Sequence, residues 1–257
     1  RKEPGSGPVI KSHGAAGGGG LSQRARPGVD GEGPERLRAA LDVLVDLCGE
    51  RTRAHQFSVD GAIPMGAGLG SSAALSVALL RAVHRFFDDA PLSAEALVER
   101  AFALERVFHG NPSGVDHTVI ARGGCITYAR DAGASTLQLA RRLRLAVAVA
   151  GAHAGTAHAV AALKERAKRH PAHYDRIYDG IGAIASSARE HLERGERGAV
   201  GELMDVNQGY LNALGVSTPA IEALCAIARE RGALGAKLSG AGGGGVVIAL
   251  VDDDPAS

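Results

Sequence analysis

Residues 65–74 read MGAGLGSSAA, with glycines at 66, 68 and 70 and two serines, Ser71 and Ser72, opening an apolar run. Glycine permits positive φ and close backbone approach. A helix starting at the serines would add unsatisfied amide donors and about half a positive charge from its dipole. Such a turn is an anion site built of backbone, needing no lysine of its own. No Gly-Lys-Ser/Thr follows, so the P-loop pattern is not met. The third glycine also comes one residue too early for a Rossmann fingerprint. By itself the turn is equally readable as tight strand-to-helix packing that binds nothing. A second loop, SGAGGGG at 239–245, favours two backbones closing on one polyanion or its substrate.

Two acids extend the chemistry. Leu97, Ala101, Leu104 and Phe108 recur at helical spacing, and Glu105 sits among them. A carboxylate on an apolar face costs several kcal/mol unless it is paired or holds a metal. The alternative is a helix-edge glutamate tilted to solvent or paired with an arginine. Asp116 lies in NPSGVDH, a constrained turn suited to fixing a side chain; its alternative is an ordinary turn or cap aspartate. Together, a phosphate loop, one acid for Mg²⁺ and a second acid near a substrate hydroxyl make a phosphoryl-transfer set. His109 and His117 flank the second acid, with local hydrogen bonding as their expected role. The basic run KERAKRH (164–170) reads as a solvated helix face.

The elements that must position these groups follow from periodicity. Leu37, Leu41, Leu44 and Cys48 mark a helix, and FSVDGAI (57–63) a strand leading to the glycine turn. Residues 71–87 are apolar nearly all round and predict a buried helix. Ser93 is placed to cap the next one. A strand is expected at about 124–128, a polar stretch near 130–140, and a buried strand at 143–150. Helices are then expected at 157–169, 174–194, 197–214 and from Pro219 to Gly232, before the strand VVIALV (246–251). The layout is two α+β halves joined near 130–142. Residues 1–34 are dominated by Gly, Pro, Arg and Ser and read as disordered or irregular.

Composition narrows the class. The 257 residues carry a formal net charge of +1, which argues against a general nucleic-acid binder, and 4% aromatics with no tryptophan argue against a single-strand stacking platform. Cys48, Cys125 and Cys225 are far apart and odd in number, so buried core thiols are expected rather than a disulfide framework or a metal knot. No apolar run is long enough to span a membrane and no signal peptide is read, giving a cytoplasmic expectation. The chain opens on Arg1, which reads as a fragment or processed product.

PMGAGLGSSAA, ERVFHGNPSGVDH and KLSGAGGGG resemble the glycine-rich, acidic and third motifs of the GHMP kinases, nearest to the mevalonate kinases among them. The likeness runs from roughly 35 to 251. It implies a two-domain α+β fold, with an N-terminal α/β nucleotide-binding domain (35–138) and a C-terminal ferredoxin-like α/β domain (139–257), incomplete at both ends. It implies ATP and Mg²⁺ as cofactors and mevalonate as the small-molecule partner, phosphorylated on its 5-hydroxyl, with a homodimer left open. By the resemblance, Gly66, Ala67, Gly68, Leu69, Gly70, Ser71 and Ser72 surround the ATP phosphates, and Ser72 and Glu105 hold Mg²⁺. Asp116 lies beside the acceptor hydroxyl and Thr156 lines the acceptor site. Gly240, Ala241, Gly242 and Gly243 form a loop near the substrate. The family's first motif, with its lysine, has no counterpart here, which implies turnover far below the family's level. A sibling kinase for phosphomevalonate or a sugar, and a catalytically silent nucleotide-binding fragment, stand as the alternatives.

Overall fold

The computed structural model describes residues 11–14, 20–24, 34–60, 63, 68–87, 90–151 and 156–252. The chain divides into two units. One holds Arg1–Gly66, Gly70–Gly124 and Tyr128–Ala134; the other holds Ala67–Leu69, Cys125–Thr127 and Ser135–Ser257.

In the first unit the apolar spacing closes into α1 (Pro34–Cys48), α2 (Ser71–Phe86) and α3 (Ala94–His109). Ser93 caps α3 as expected, its hydroxyl accepting from the Ala96 N–H at 3.1 Å. Leu41, Leu44, Leu80, Val83, Leu97, Ala101 and Leu104 are buried in one cluster. Phe57 and Val59, on the same face of the strand β3 (His55–Asp60), join it. That strand starts two residues before the expected 57–63 and is described through Asp60, beyond which residues 61–62 lie outside the described residues.

Residues 1–34 depart from the irregular expectation. β1 (Lys11–Gly14) pairs antiparallel with β3, and β2 (Gly20–Arg24) pairs parallel on its other side. Their glycine-rich wording carries no apolar alternation, so only the pairing with β3 makes them strands. Between the Pro/Gly turn and the next strand lies the short helix α4 (Val115–Arg122), with Asp116 in its first turn. Next come β4 (Cys125–Ala129) and β5 (Gly133–Leu137), which pair with each other. The second of these occupies the polar stretch that carried no strand pattern, since most of its residues face solvent.

The second unit is built on an antiparallel sheet in which β8 (Gly245–Val251) lies between β6 (Arg144–Gly151) and β7 (Gly235–Ser239). The helices α5 (Thr156–Arg169), α6 (Pro171–Arg194), α7 (Arg197–Ala213) and α8 (Pro219–Glu230) match the expected stretches closely. Ala236, Leu238, Val247 and Ala249 pack on Ile221 and Cys225 of α8. The outer edge of β7 is closed by α7. Its Ala236 N–H donates to Asp205 Oδ1 at 2.9 Å, and its Leu238 N–H to Gln208 Oε1 at 2.8 Å. An edge that would offer unpaired amides is thereby satisfied by two side chains one helical turn apart. Within the basic run 164–170, Arg166 is not simply solvated. It donates to the Leu214 and Gly215 carbonyls at 2.9 and 3.1 Å, beyond the end of α7.

Candidate active site

Among the described residues, few polar side chains are buried, and Ser72, Ser76, Glu105, His117 and Thr118 all come from α2, α3 and α4. Helix α2 begins directly after Gly70, which takes a left-handed conformation at the cap position, and no side chain caps it. Its first amides are therefore left for another partner. A Cβ at Gly70 would lie 3.7 Å from Asp116 Cβ and 3.8 Å from its Cγ, so the second acid lies beside the loop, within reach of a single added methyl group.

Glu105 is 2% exposed, which settles its two readings in favour of the buried one. Ser72 Oγ donates to its Oε2 at 3.1 Å and Ser76 Oγ to its Oε1 at 3.0 Å. His109 Nε2 lies 2.9 Å from Ser72 Oγ and 3.8 Å from Glu105 Oε2. Ser72 has one hydroxyl proton; with Glu105 ionised and accepting it, His109 must present its Nε2–H to the serine oxygen. Burial pushes the Glu105 carboxyl above the usual carboxylate range. The Ser76 bond, the nearby His109 and the Ser72 bond oppose that shift, while Asp116 adds to it. A half-compensated buried carboxylate next to a serine hydroxyl is a hard-oxygen pair, the donor type that suits Mg²⁺.

Asp116 is held through its helix. Thr118 Oγ1 donates to the Gly114 carbonyl at 2.6 Å, and Tyr128 Oη donates to the Ser113 carbonyl at 3.0 Å, bracing the turn that leads into α4. His117 is 2% exposed, packs its ring against Phe102, and is held below the usual histidine range by burial, with Asp116 opposing.

The second unit holds the other expected residues. Gly240, Gly242 and Gly243 have φ of 93°, 82° and 72°. The Gly243 N–H donates to the Val216 carbonyl at 2.8 Å, and a Cβ at Gly242 would lie 2.2 Å from that same oxygen. Only glycine fits there. Gly68, also in this unit, approaches the third-motif loop: a Cβ on it would lie 3.4 Å from the Ser239 carbonyl oxygen and 3.9 Å from Gly240 Cα. Thr156 opens α5, while Gly66 and Ala67 lie outside the described residues.

Sequence reasoning missed Ser76 and Tyr128 and gave His109 only a local role. Ser76 had a readable signal. It stands four residues after Ser72 in a helix otherwise apolar on that face, where a buried hydroxyl needs a partner. The bracing by Tyr128 had none, because it joins residues 15 positions apart through a turn.

The family described as GHMP kinases N terminal domain matches residues 35–124, and the one described as GHMP kinases C terminal matches residues 188–257. Mevalonate kinase of Pyrococcus abyssi is 36% identical over 219 residues, covering 83% of this chain and 64% of the relative. That of Pyrococcus horikoshii is 38% identical over 219 residues, with the same two shares of 83% and 64%. The chain thus spans 64% of the length of these curated relatives. The crystal structure of L. major mevalonate kinase in complex with R-mevalonate matches with a TM-score of 0.87 at 30% identity, covering 97% of this chain and 78% of that one.

Proposed function

As the chain belongs to the GHMP kinase family, we propose that it serves the ATP-dependent phosphorylation of the mevalonate 5-hydroxyl, giving 5-phosphomevalonate and ADP. The observation that carries this is the buried Glu105 bonded to Ser72 at the head of an uncapped helix, with Asp116 beside Gly70. The names of the relatives supply the acceptor.

In this reading residues 66–72 surround the nucleotide phosphates with backbone amides. Ser72 and Glu105 hold Mg²⁺, which when bound neutralises charge on the phosphate oxygens. Asp116 accepts the proton of the acceptor hydroxyl as that oxygen bonds to the γ-phosphorus and the bond to the β,γ-bridging oxygen breaks. His109 and Ser76 keep Ser72 and Glu105 in one arrangement, so positioning is settled before substrate arrives. Thr156 and residues 240–243 contact the acceptor. The cytoplasm is the compartment we assign, on cysteines that are odd in number and far apart in sequence.

The test is ADP release by the purified chain with Mg-ATP and R-mevalonate, with the product identified by ³¹P NMR. Phosphomevalonate and galactose serve as rival acceptors. Mevalonate-dependent release and a phosphomonoester product are expected. ADP release indifferent to mevalonate, or faster with a rival acceptor, would overturn the reading.

A further inference from the structure

A groove of about 260 Å³ lies between α6 and α7 and is built wholly from the second unit. Ile184 and Ala188 of α6 face Leu203 and Met204 of α7 across it, and Asn207 and Lys237 supply its polar groups. The room exists because α6 buries no residue along its 24 positions and presents alanines where larger side chains would fill the gap. Lys237 is a departure in the otherwise small and apolar segment GAKLS. Its neighbours Ala236 and Leu238 point into the core, so it stands on the opposite face of β7. The Lys237 ammonium donates to the Leu238 carbonyl at 2.6 Å, its one hydrogen-bond partner among the described residues. Two of its three N–H donors remain unspent. Asn207, next to the Gln208 that accepts from the Leu238 N–H, lines the same groove as Lys237.

We infer that this groove binds a small amphipathic molecule with a single anionic head on an unbranched apolar chain. The head bonds to the Lys237 ammonium and the Asn207 amide, and the chain lies along Ile184, Ala188, Leu203 and Met204. A half-buried ammonium without an acidic partner among the described residues is a desolvated charge that an anion compensates. The walls exclude a purely hydrophilic anion as the best fit, and the ammonium excludes a neutral hydrocarbon. The volume lies just below the range of drug-sized pockets, which points to a short chain. Met204 adapts its shape to the chain's end. Burial holds the Lys237 amine below the usual lysine range, the direction an uncompensated site produces.

The experiment titrates the 257-residue chain with octanoate, octyl phosphate, octanol and acetate, by calorimetry and by methyl NMR of Met204 and the groove isoleucines. Saturable binding of octanoate or octyl phosphate is expected, with octanol and acetate at least tenfold weaker. The tighter of the two anions identifies a carboxylate or a phosphate head. Lys237→Met should weaken the anion at least tenfold while leaving octanol unchanged. Ala188→Phe, which fills an open groove rather than the core, should abolish anion binding in a chain whose melting temperature is kept, so the test stands even if Lys237→Met unfolds. Absence of saturable binding by both anions, octanol as tight as octanoate, or unchanged affinity in either folded variant would overturn the proposal.

Discussion

Ser72 donates to Glu105 at 3.1 Å across 33 positions of sequence, tying the first turn of α2 to the last turns of α3. The carboxylate is otherwise enclosed, and its second oxygen takes the hydroxyl of Ser76, one helical turn further on. Burying a carboxylate costs several kcal/mol. Two charge-assisted bonds return about 1.5–3 kcal/mol each. The carboxyl still sits above the usual carboxylate range, so these bonds offset only part of the burial.

Glu105→Gln keeps the shape and lets both serines retain partners, so melting should move little. Affinity for Mg-ATP should fall at least tenfold while affinity for ATP in EDTA stays put, and turnover should drop by about 10²-fold or more. Calorimetry with and without Mg²⁺ separates the two. Equal loss in both would mean that Glu105 acts through the fold alone.

Ser76→Ala leaves Glu105 Oε1 buried with its one described hydroxyl donor gone, which should cost about 1–3 kcal/mol in urea unfolding. The half-saturating Mg²⁺ concentration should rise several-fold, with turnover recovering at high Mg²⁺. An unchanged Mg²⁺ dependence would reduce Ser76 to a stability role.

Asp116→Asn should lower turnover by about 10²–10⁴-fold, the range for removal of a positioned base. Nucleotide affinity should stay within about twofold. Single-turnover kinetics at saturating Mg-ATP reads the chemical step directly, and an unaltered rate there removes the base role.

His117 predicts a pH slope. Its folded-state value is held below the unfolded one, about 6.5, because burial disfavours the imidazolium more than Asp116 favours it. The unfolded chain then binds more protons at mildly acidic pH, so stability is fully present above about 6.5 and is lost as pH falls toward the depressed folded value. Wild type should lose more of its urea midpoint between pH 7.5 and 5.5 than His117→Gln does. Parallel losses in the two proteins would remove His117 as the cause.

Gly242→Ala and Gly209→Ala should move in opposite directions. At Gly242 a Cβ meets the Val216 carbonyl oxygen at 2.2 Å with φ at 82°, so a loss of about 1–3 kcal/mol or more is expected. Gly209 lies on an exposed position of α7 with nothing within 4 Å of a Cβ, and alanine there should gain about 1 kcal/mol. Denaturant midpoints of the two variants check both signs.

Long periodic segments were legible as they stood. The buried helix expected at 71–87 is α2 (Ser71–Phe86), and Ser93 caps α3 as its position predicts. Strands without a local pattern were not legible. β5 is largely exposed, and β7 is a five-residue segment between glycine turns whose edge is closed by Asp205 and Gln208 from α7. The sequence by itself determined which residue types could handle a phosphate: glycines before a serine-headed helix, an acid on an apolar helix face and an acid after a tight turn. Only the tertiary structure decided that Glu105 is enclosed rather than solvated, that Ser76 and His109 share its hydrogen-bond network, and that Asp116 lies beside Gly70. The reason is physical. Helix periodicity fixes which face a residue occupies, whereas the partner on that face comes from another helix, set by packing between segments some thirty residues apart.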